Sequence, residues 1–182
     1  MSHVKLFPSQ LPDEKIVIVV REHWFRLFLK VVIVLLLSLL PWAFKLLLVD
    51  TDILEINTTV NLIVSTVDQV YYLGLLVALF VIYVLYYLNI HIVSEQRVVD
   101  IDQTTLLSRE VSELNIETIE DVSSHTKGIF GNLLNYGTVY VQTAGGTERF
   151  EFENVPNPTK IAGTILDLYE KHGNKPKVKQ AP

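Results

Sequence analysis

Tyr71-Tyr72-Leu73-Gly74-Leu75-Leu76-Val77-Ala78-Leu79-Phe80, continued by Val81-Ile82-Tyr83-Val84-Leu85-Tyr86-Tyr87-Leu88-Asn89-Ile90, is the stretch on which the architecture of this chain turns. No Asp, Glu, Lys or Arg occurs between Asp68 and Glu95. A helix on the surface of a soluble domain carries a polar stripe at the helical period, whereas this run is apolar on every face. About 20 residues at a rise of ~1.5 Å span a hydrocarbon core of ~30 Å. Tyr71, Tyr72, Tyr86 and Tyr87 sit near the two ends, where amphipathic rings favour the headgroup level. The run reads as a transmembrane helix over residues 69–90.

Working back toward the N-terminus, a second apolar block occupies residues 23–49. Arg21-Glu22-His23-Trp24-Phe25-Arg26 reads as an interface segment leading into it, with Trp24 at headgroup depth. Pro41 is expected to bend this first span. Lys45, near its far end, is read as a cation snorkelling to the outer interface close to Asp50, with an ion or proton relay as the alternative. The block starts too late, and lacks the small-residue pattern, for a cleaved signal peptide. The connecting segment 50–68 carries Asp50, Asp52, Glu55 and Asp68 and no basic residue. Ile53, Ile56, Val60, Ile63 or Val64, and Val67 recur in it at helical spacing. That pattern suggests a surface helix or an early start to the second span. Asn57-Thr58-Thr59 matches a glycosylation acceptor, a pattern short enough to arise by chance.

Arg21, Arg26 and Lys30 precede the first span, and Arg97 and Arg109 follow the second. The positive-inside rule then places both termini in the cytoplasm and the loop outside. Residues 1–22 form a cytoplasmic arm containing Ile16-Val17-Ile18-Val19-Val20, too short to cross a membrane. A β-branched run of this length favours a strand, and the expected partner is a sheet downstream of the spans.

From Ile90 the hydrophobic period changes to two. Ile90 to Ser94 and Arg97 to Asp102 flank a Glu95-Gln96 turn, and Leu106–Leu114, Thr118–Thr126, Gly137–Thr143 and Thr147–Val155 are further strand candidates. Val139 to Thr143, a Gly145-Gly146 turn and Phe150-Glu151-Phe152-Glu153 read as a half-buried antiparallel hairpin. Asn157-Pro158 opens a final helix with Ile161, Ile165, Leu168 and Tyr169 on its apolar face, ended by Gly173. The basic tail 173–182 is expected to be disordered.

Four features together resemble the bacterial PH-like domains, formerly a domain of unknown function that commonly follows two membrane helices. They are the Ile92–Asp102 strand pair with Arg97 after its turn, Ile119-Glu120-Asp121-Val122, Leu133-Leu134-Asn135-Tyr136-Gly137-Thr138-Val139, and Asn157-Pro158. The similarity covers Ile90 to His172, and the two-span layout extends it toward Glu14. It implies a membrane α-helical hairpin plus a mainly β, α+β PH-like domain at 91–172, a bent antiparallel sandwich capped by a C-terminal helix. The resemblance supplies no catalytic residues.

The composition narrows the chemistry. The chain has 182 residues and no Cys, which excludes disulfides, thiolate catalysis and Cys-ligated zinc. His3, His23, His91, His125 and His172 are scattered, and no nucleophile elbow, Walker A or dinucleotide fingerprint is present. Asp100 and Asp102 share a strand face and are read as solvated rather than metal-binding. His125 before Lys127-Gly128 has no partner to make it a general base. No catalytic residue, cofactor or metal is therefore expected. Gly128 to Gly137 is apolar and glycine-bracketed. Its simpler reading is a helical turn that plugs the open end of the sandwich with Phe130 and Leu133. The functional alternative is a membrane-touching or partner-binding loop, with Ile129, Phe130, Leu133, Leu134 and Tyr136 as candidate contact residues.

Between His91 and His172 stand six basic residues against thirteen acidic ones, a formal balance of -7. Such a surface repels anionic headgroups and nucleic acid, so neither phosphoinositide nor nucleic-acid binding is expected. The combined expectation is an integral protein of the cell membrane with two spans. Its PH-like domain acts as a non-enzymatic interaction or scaffold module at the cytoplasmic face, for a protein partner or as a homo-oligomer. Two other classes stand beside it. A subunit of an oligomeric pore or transport complex would want small polar residues along one helix face, where only Ser38, Gly74 and Ala78 are found. A membrane-surface enzyme would need a catalytic set that is not visible.

Overall fold

The structure, a computed structural model, describes residues 10–11, 14–49, 58–143 and 149–173, and the chain divides into two units, 24–86 and the remainder. The Gly145-Gly146 turn, the arm before Gln10, most of the acidic connection and the tail after Gly173 lie outside the described residues.

The β-branched run is strand β1 (Ile16–Val20). It pairs antiparallel with β2 (Ile90–Ser94), although residues 21–89 lie between them in the chain. β3 (Arg97–Thr105) and β4 (Ser108–Asn115) follow as hairpins, giving a sheet ordered β1-β2-β3-β4. A 3-10 turn at Ile116–Thr118 carries the chain to a second antiparallel sheet of β5 (Ile119–His125), β6 (Tyr136–Thr143) and β7 (Arg149–Pro156). The Glu95–Gln96 turn sets the first register, with Val93 opposite Val98 and Ile92 opposite Val99. Because side chains alternate, Val93 and Val98 turn inward together with Val20 and Leu114. They meet Val122, Val139, Val141, Phe152 and Val155 of the second sheet. The final helix, which we number α5 below, spans Pro158–Gly173 and packs Ile161, Ala162, Ile165 and Leu168 into the same core. Ile92, Val99 and Ile101, on the opposite face of β2 and β3, are buried as well. The middle of β2 and β3 is thus buried on both faces, Val93 and Val98 on one and Ile92 and Val99 on the other.

A buried ion pair fastens β1 in place. Glu14, whose side chain is withdrawn from solvent, lies 3.1 Å from Arg97 Nε. Its carboxylate accepts from Ser94 Oγ at 2.5 Å and from the Leu11 N–H at 3.1 Å. Arg97 also reaches Glu113 at 2.9 Å. A carboxylate stripped of water needs this set of partners, and the set spans β1, the β2–β3 turn and β4.

One strand expectation is corrected. Leu106 and Leu107 do not begin a strand but form the two-residue turn between Thr105 and Ser108. The turn carries no Gly, Asn, Asp or Pro, the residues by which such loops are recognised. Gly137 marks a register shift in β6, where a Cβ would collide with the His125 carbonyl oxygen.

The other unit contains helices α1 (Trp24–Ser38), α2 (Leu40–Val49) and α3, which runs Thr58–Leu88 and whose last turn belongs with the sheets. Residues 58–68, whose spacing suggests a surface helix or an early start to the second span, are continuous with the rest of α3, which agrees with the early start. The first apolar block is interrupted at Leu39, just before Pro41. Pro41 has no N–H to give the Leu37 carbonyl, and the Tyr71 hydroxyl donates to that oxygen instead at 2.8 Å. Tyr72 does the same for Ser38 at 3.1 Å. Lys45 is ion-paired with Asp68 of α3, a residue 18 positions beyond the Asp50 near which it was expected to lie, and Asp50 itself is outside the described residues. Trp24–Leu46 and Thr58–Leu88 are both long and apolar enough to cross a membrane.

Candidate functional site

Register brings together residues that the linear sequence separates. With Val93 fixed opposite Val98, His91 must face Asp100 two pairs further along. His91 is buried, its ring 4.6 Å from that of Phe152 and its Nδ1 2.7 Å from Asp100 Oδ1. A carboxylate is acceptor-only, so Nδ1–H donates to it. Asp102 lies on the same face of β3, and Glu151 and Glu153 project from β7 on the solvent side of Phe152. With Glu22 and Asn89 these groups line a cleft of about 150 Å3.

What this cleft can do follows from its inventory. A histidine held by a carboxylate is the base-and-orienter half of a hydrolytic site. Among the described residues no Ser, Thr, Lys or Arg lines the cleft to supply the other half. Five carboxylates around it repel anions, and ligand pockets for drug-sized molecules occupy roughly 300–1,000 Å3. The described residues contain no group of three or more His, Asp or Glu arranged to hold a metal. The arrangement suits the guanidinium or ammonium group of a basic partner resting on the rim. His91 belongs to no local sequence motif, and the signal that pairs it with Asp100 is the two-residue turn at Glu95–Gln96.

The second candidate is α4 (Gly128–Leu134), between β5 and β6. Gly128 opens it at φ +77, and Asn135 closes it in the left-handed conformation with its N–H on the Gly131 carbonyl. Gly131 faces inward: a Cβ there would stand 3.2 Å from Tyr136 O. The side chains expected to plug the sandwich point the other way. Ile129 is 83% exposed, Leu133 75% and Phe130 58%, so the plug reading is corrected. Leu134 is half-buried, and Tyr136 is half-buried with its ring stacked on His23 at 5.0 Å. The five candidate residues therefore separate into three that face solvent and two that are half-buried. His125 is exposed at the end of β5 and meets only the Tyr140 ring edge, at 5.3 Å, among its described ring contacts.

Comparison with known proteins bears on the whole assembly. Residues 15–169 match the family model described as "Bacterial PH domain". No curated protein matches the chain. Among solved structures it is similar to a DUF1696 family protein with a pleckstrin-homology domain from Shewanella loihica PV-4. That likeness has 14% identity over 44% of this chain and 70% of the other, with a TM-score of 0.36.

Proposed function

The chain belongs to the bacterial PH domain family, and on that premise we propose that it is a membrane-anchored, non-enzymatic interaction module working at the cytoplasmic face. The observation that carries this reading is the pairing of β1 with β2. Two helices long and apolar enough to span a bilayer are inserted between adjacent strands of one sheet. The domain is thereby tied to the bilayer at two neighbouring points instead of trailing from one flexible linker, a geometry that fits a platform better than a tethered catalyst. Both termini lie in the cytoplasm, because Arg21, Arg26 and Lys30 flank one span and Arg97 and Arg109 the other. The carboxylate-rimmed cleft around His91 favours a basic protein partner over a lipid phosphate.

Two measurements test the reading in the full-length protein. A reporter fused after Asn174 should register cytoplasm and one inserted near Thr58 the outside; the reverse pattern refutes the topology. A photo-cross-linkable residue in place of Glu151 should give a discrete protein adduct in native membranes. If only lipid is captured there, the interaction role falls while the anchoring stands.

A further inference from the structure

The chain leaves and re-enters the first sheet at one end. β1 stops at Val20, opposite His91, and runs out through Arg21, Glu22 and His23; β2 starts at Ile90, preceded by Leu88 and Asn89. β3 continues past that end. The Gln103 N–H donates to Asn89 Oδ1 at 2.6 Å, and the strand then runs on to Leu107. At ~3.3 Å per residue the turn reaches up to ~13 Å beyond Asn89. Its two residues are Leu106 and Leu107, the latter 99% exposed. Helix α4 belongs to the same end. It leads into Tyr136, which stacks on His23, and the His23 N–H donates to Asn154 O at 2.7 Å.

Two separate tips, one a leucine pair and the other Ile129, Phe130 and Leu133, thus expose large apolar side chains beside the junctions with both candidate spans. Single exposed leucines need no explanation, but two apolar tips at one end of a domain do. We propose that these tips form a seat that enters the headgroup–acyl boundary of the bilayer holding the protein's own helices. The bilayer is the occupant, because the tips adjoin the points where the chain turns into its apolar helices. The headgroup zone is about 5–8 Å deep on each side, which the reach of the Leu107 turn exceeds. Lys127 precedes one tip and Arg109 follows the other, so each can hold a cation at phosphate level while the apolar groups go deeper. Glu22, Asp102 and Glu153 near the same end disfavour attachment by acidic lipid. The seat is therefore apolar and needs no acidic lipid for its attachment.

This inference rests on the two-span reading, and the test separates the two. The chain has no cysteine, so single substitutions give unique labels. The full-length protein, carrying an environment-sensitive fluorophore at Leu107→Cys, Ile129→Cys, Leu76→Cys or Glu120→Cys, is reconstituted into phosphatidylcholine vesicles. Leu76 lies in the apolar run of α3, and Glu120 is exposed at the other end of the sandwich. Labels at Leu107 and Ile129 should lose fluorescence to nitroxide-bearing lipid, as the Leu76 label does, and resist aqueous iodide, whereas the Glu120 label should behave in the opposite way. Tip labels that respond like Glu120 while Leu76 is quenched by lipid overturn the seat alone. Tip labels shielded from iodide yet untouched by the nitroxide lipid also overturn it, in favour of a protein cover such as a second copy. A Leu76 label not quenched by lipid removes the two-span reading and the seat with it.

Discussion

Removing β1 should cost this domain a large share of its stability, although the strand is separated from the rest of the sheet by both helical segments. Val20 is buried, and full burial of a valine contributes about 1.5–3 kcal/mol. Ile16 and Ile18 are half-buried, adding about 1 kcal/mol each on the same scale. The sum approaches 5 kcal/mol, against a total of about 5–15 kcal/mol for an ordinary domain. It is an upper figure, since the unfolded chain already hides some of this surface. Two soluble chains make the comparison. In one, residues 24–87 are replaced by ten Gly/Ser residues, whose mean span is about 17 Å. In the other, the chain begins at Leu88. With a urea slope of about 2 kcal/mol per molar, the second should unfold at a midpoint lower by about 2.5 M, or show no cooperative transition at all. It should also aggregate, because β2 becomes an open edge. Equal midpoints, followed by far-ultraviolet circular dichroism, would refute the assignment of β1 as an integral strand.

Three further outcomes can be checked on the linked chain. Arg97→Ala strands the Glu14 carboxylate without its ion pair and should cost about 3–5 kcal/mol by urea unfolding. Glu14→Gln combined with Arg97→Met should recover much of that loss. Burial holds the His23 pKa below its usual 6.5, so the unfolded chain takes up this proton more readily than the folded one. Stability is then complete above pH 6.5 and declines as the pH falls below it. His23→Gln should flatten that part of the profile, and an unchanged slope would count against the desolvation argument. Finally, vesicle sedimentation with acidic lipid at low and moderate salt, and titration with inositol phosphates, should show no salt-sensitive binding. Tight binding lost on adding salt would restore a phosphate-recognition role.

Much of this fold was legible because its strongest signals are local. The run Ile16–Val20 has no helical reading of spanning length, and Asn157-Pro158 with four apolar residues at helical spacing left little choice for α5. The failures share a cause. Leu106-Leu107 were absorbed into a strand because their turn is made without turn residues, so only the ladder betrays it. The orientation of α4 was invisible because a seven-residue helix with apolar residues on several sides has no moment to read. The Lys45–Asp68 pair and the Glu14–Arg97 pair join residues far apart in the chain, where no spacing rule applies.

The β1–β2 ladder also has a meaning in time. β1 leaves the ribosome before β2 and cannot pair until residues 21–89 and β2 have followed, several seconds later at ~5–20 residues per second. Under the two-span reading, pairing is possible only if the chain has crossed the bilayer an even number of times and returned to the side where β1 waits. A chain whose second span failed to insert, or whose first span inserted alone, would leave an unpaired Ile-Val-Ile-Val-Val edge on one side and an incomplete sheet on the other. Under that reading, closing the sheet is a check on membrane insertion. Molecules that fail it expose the kind of unpaired strand that aggregates and that quality-control proteases act on.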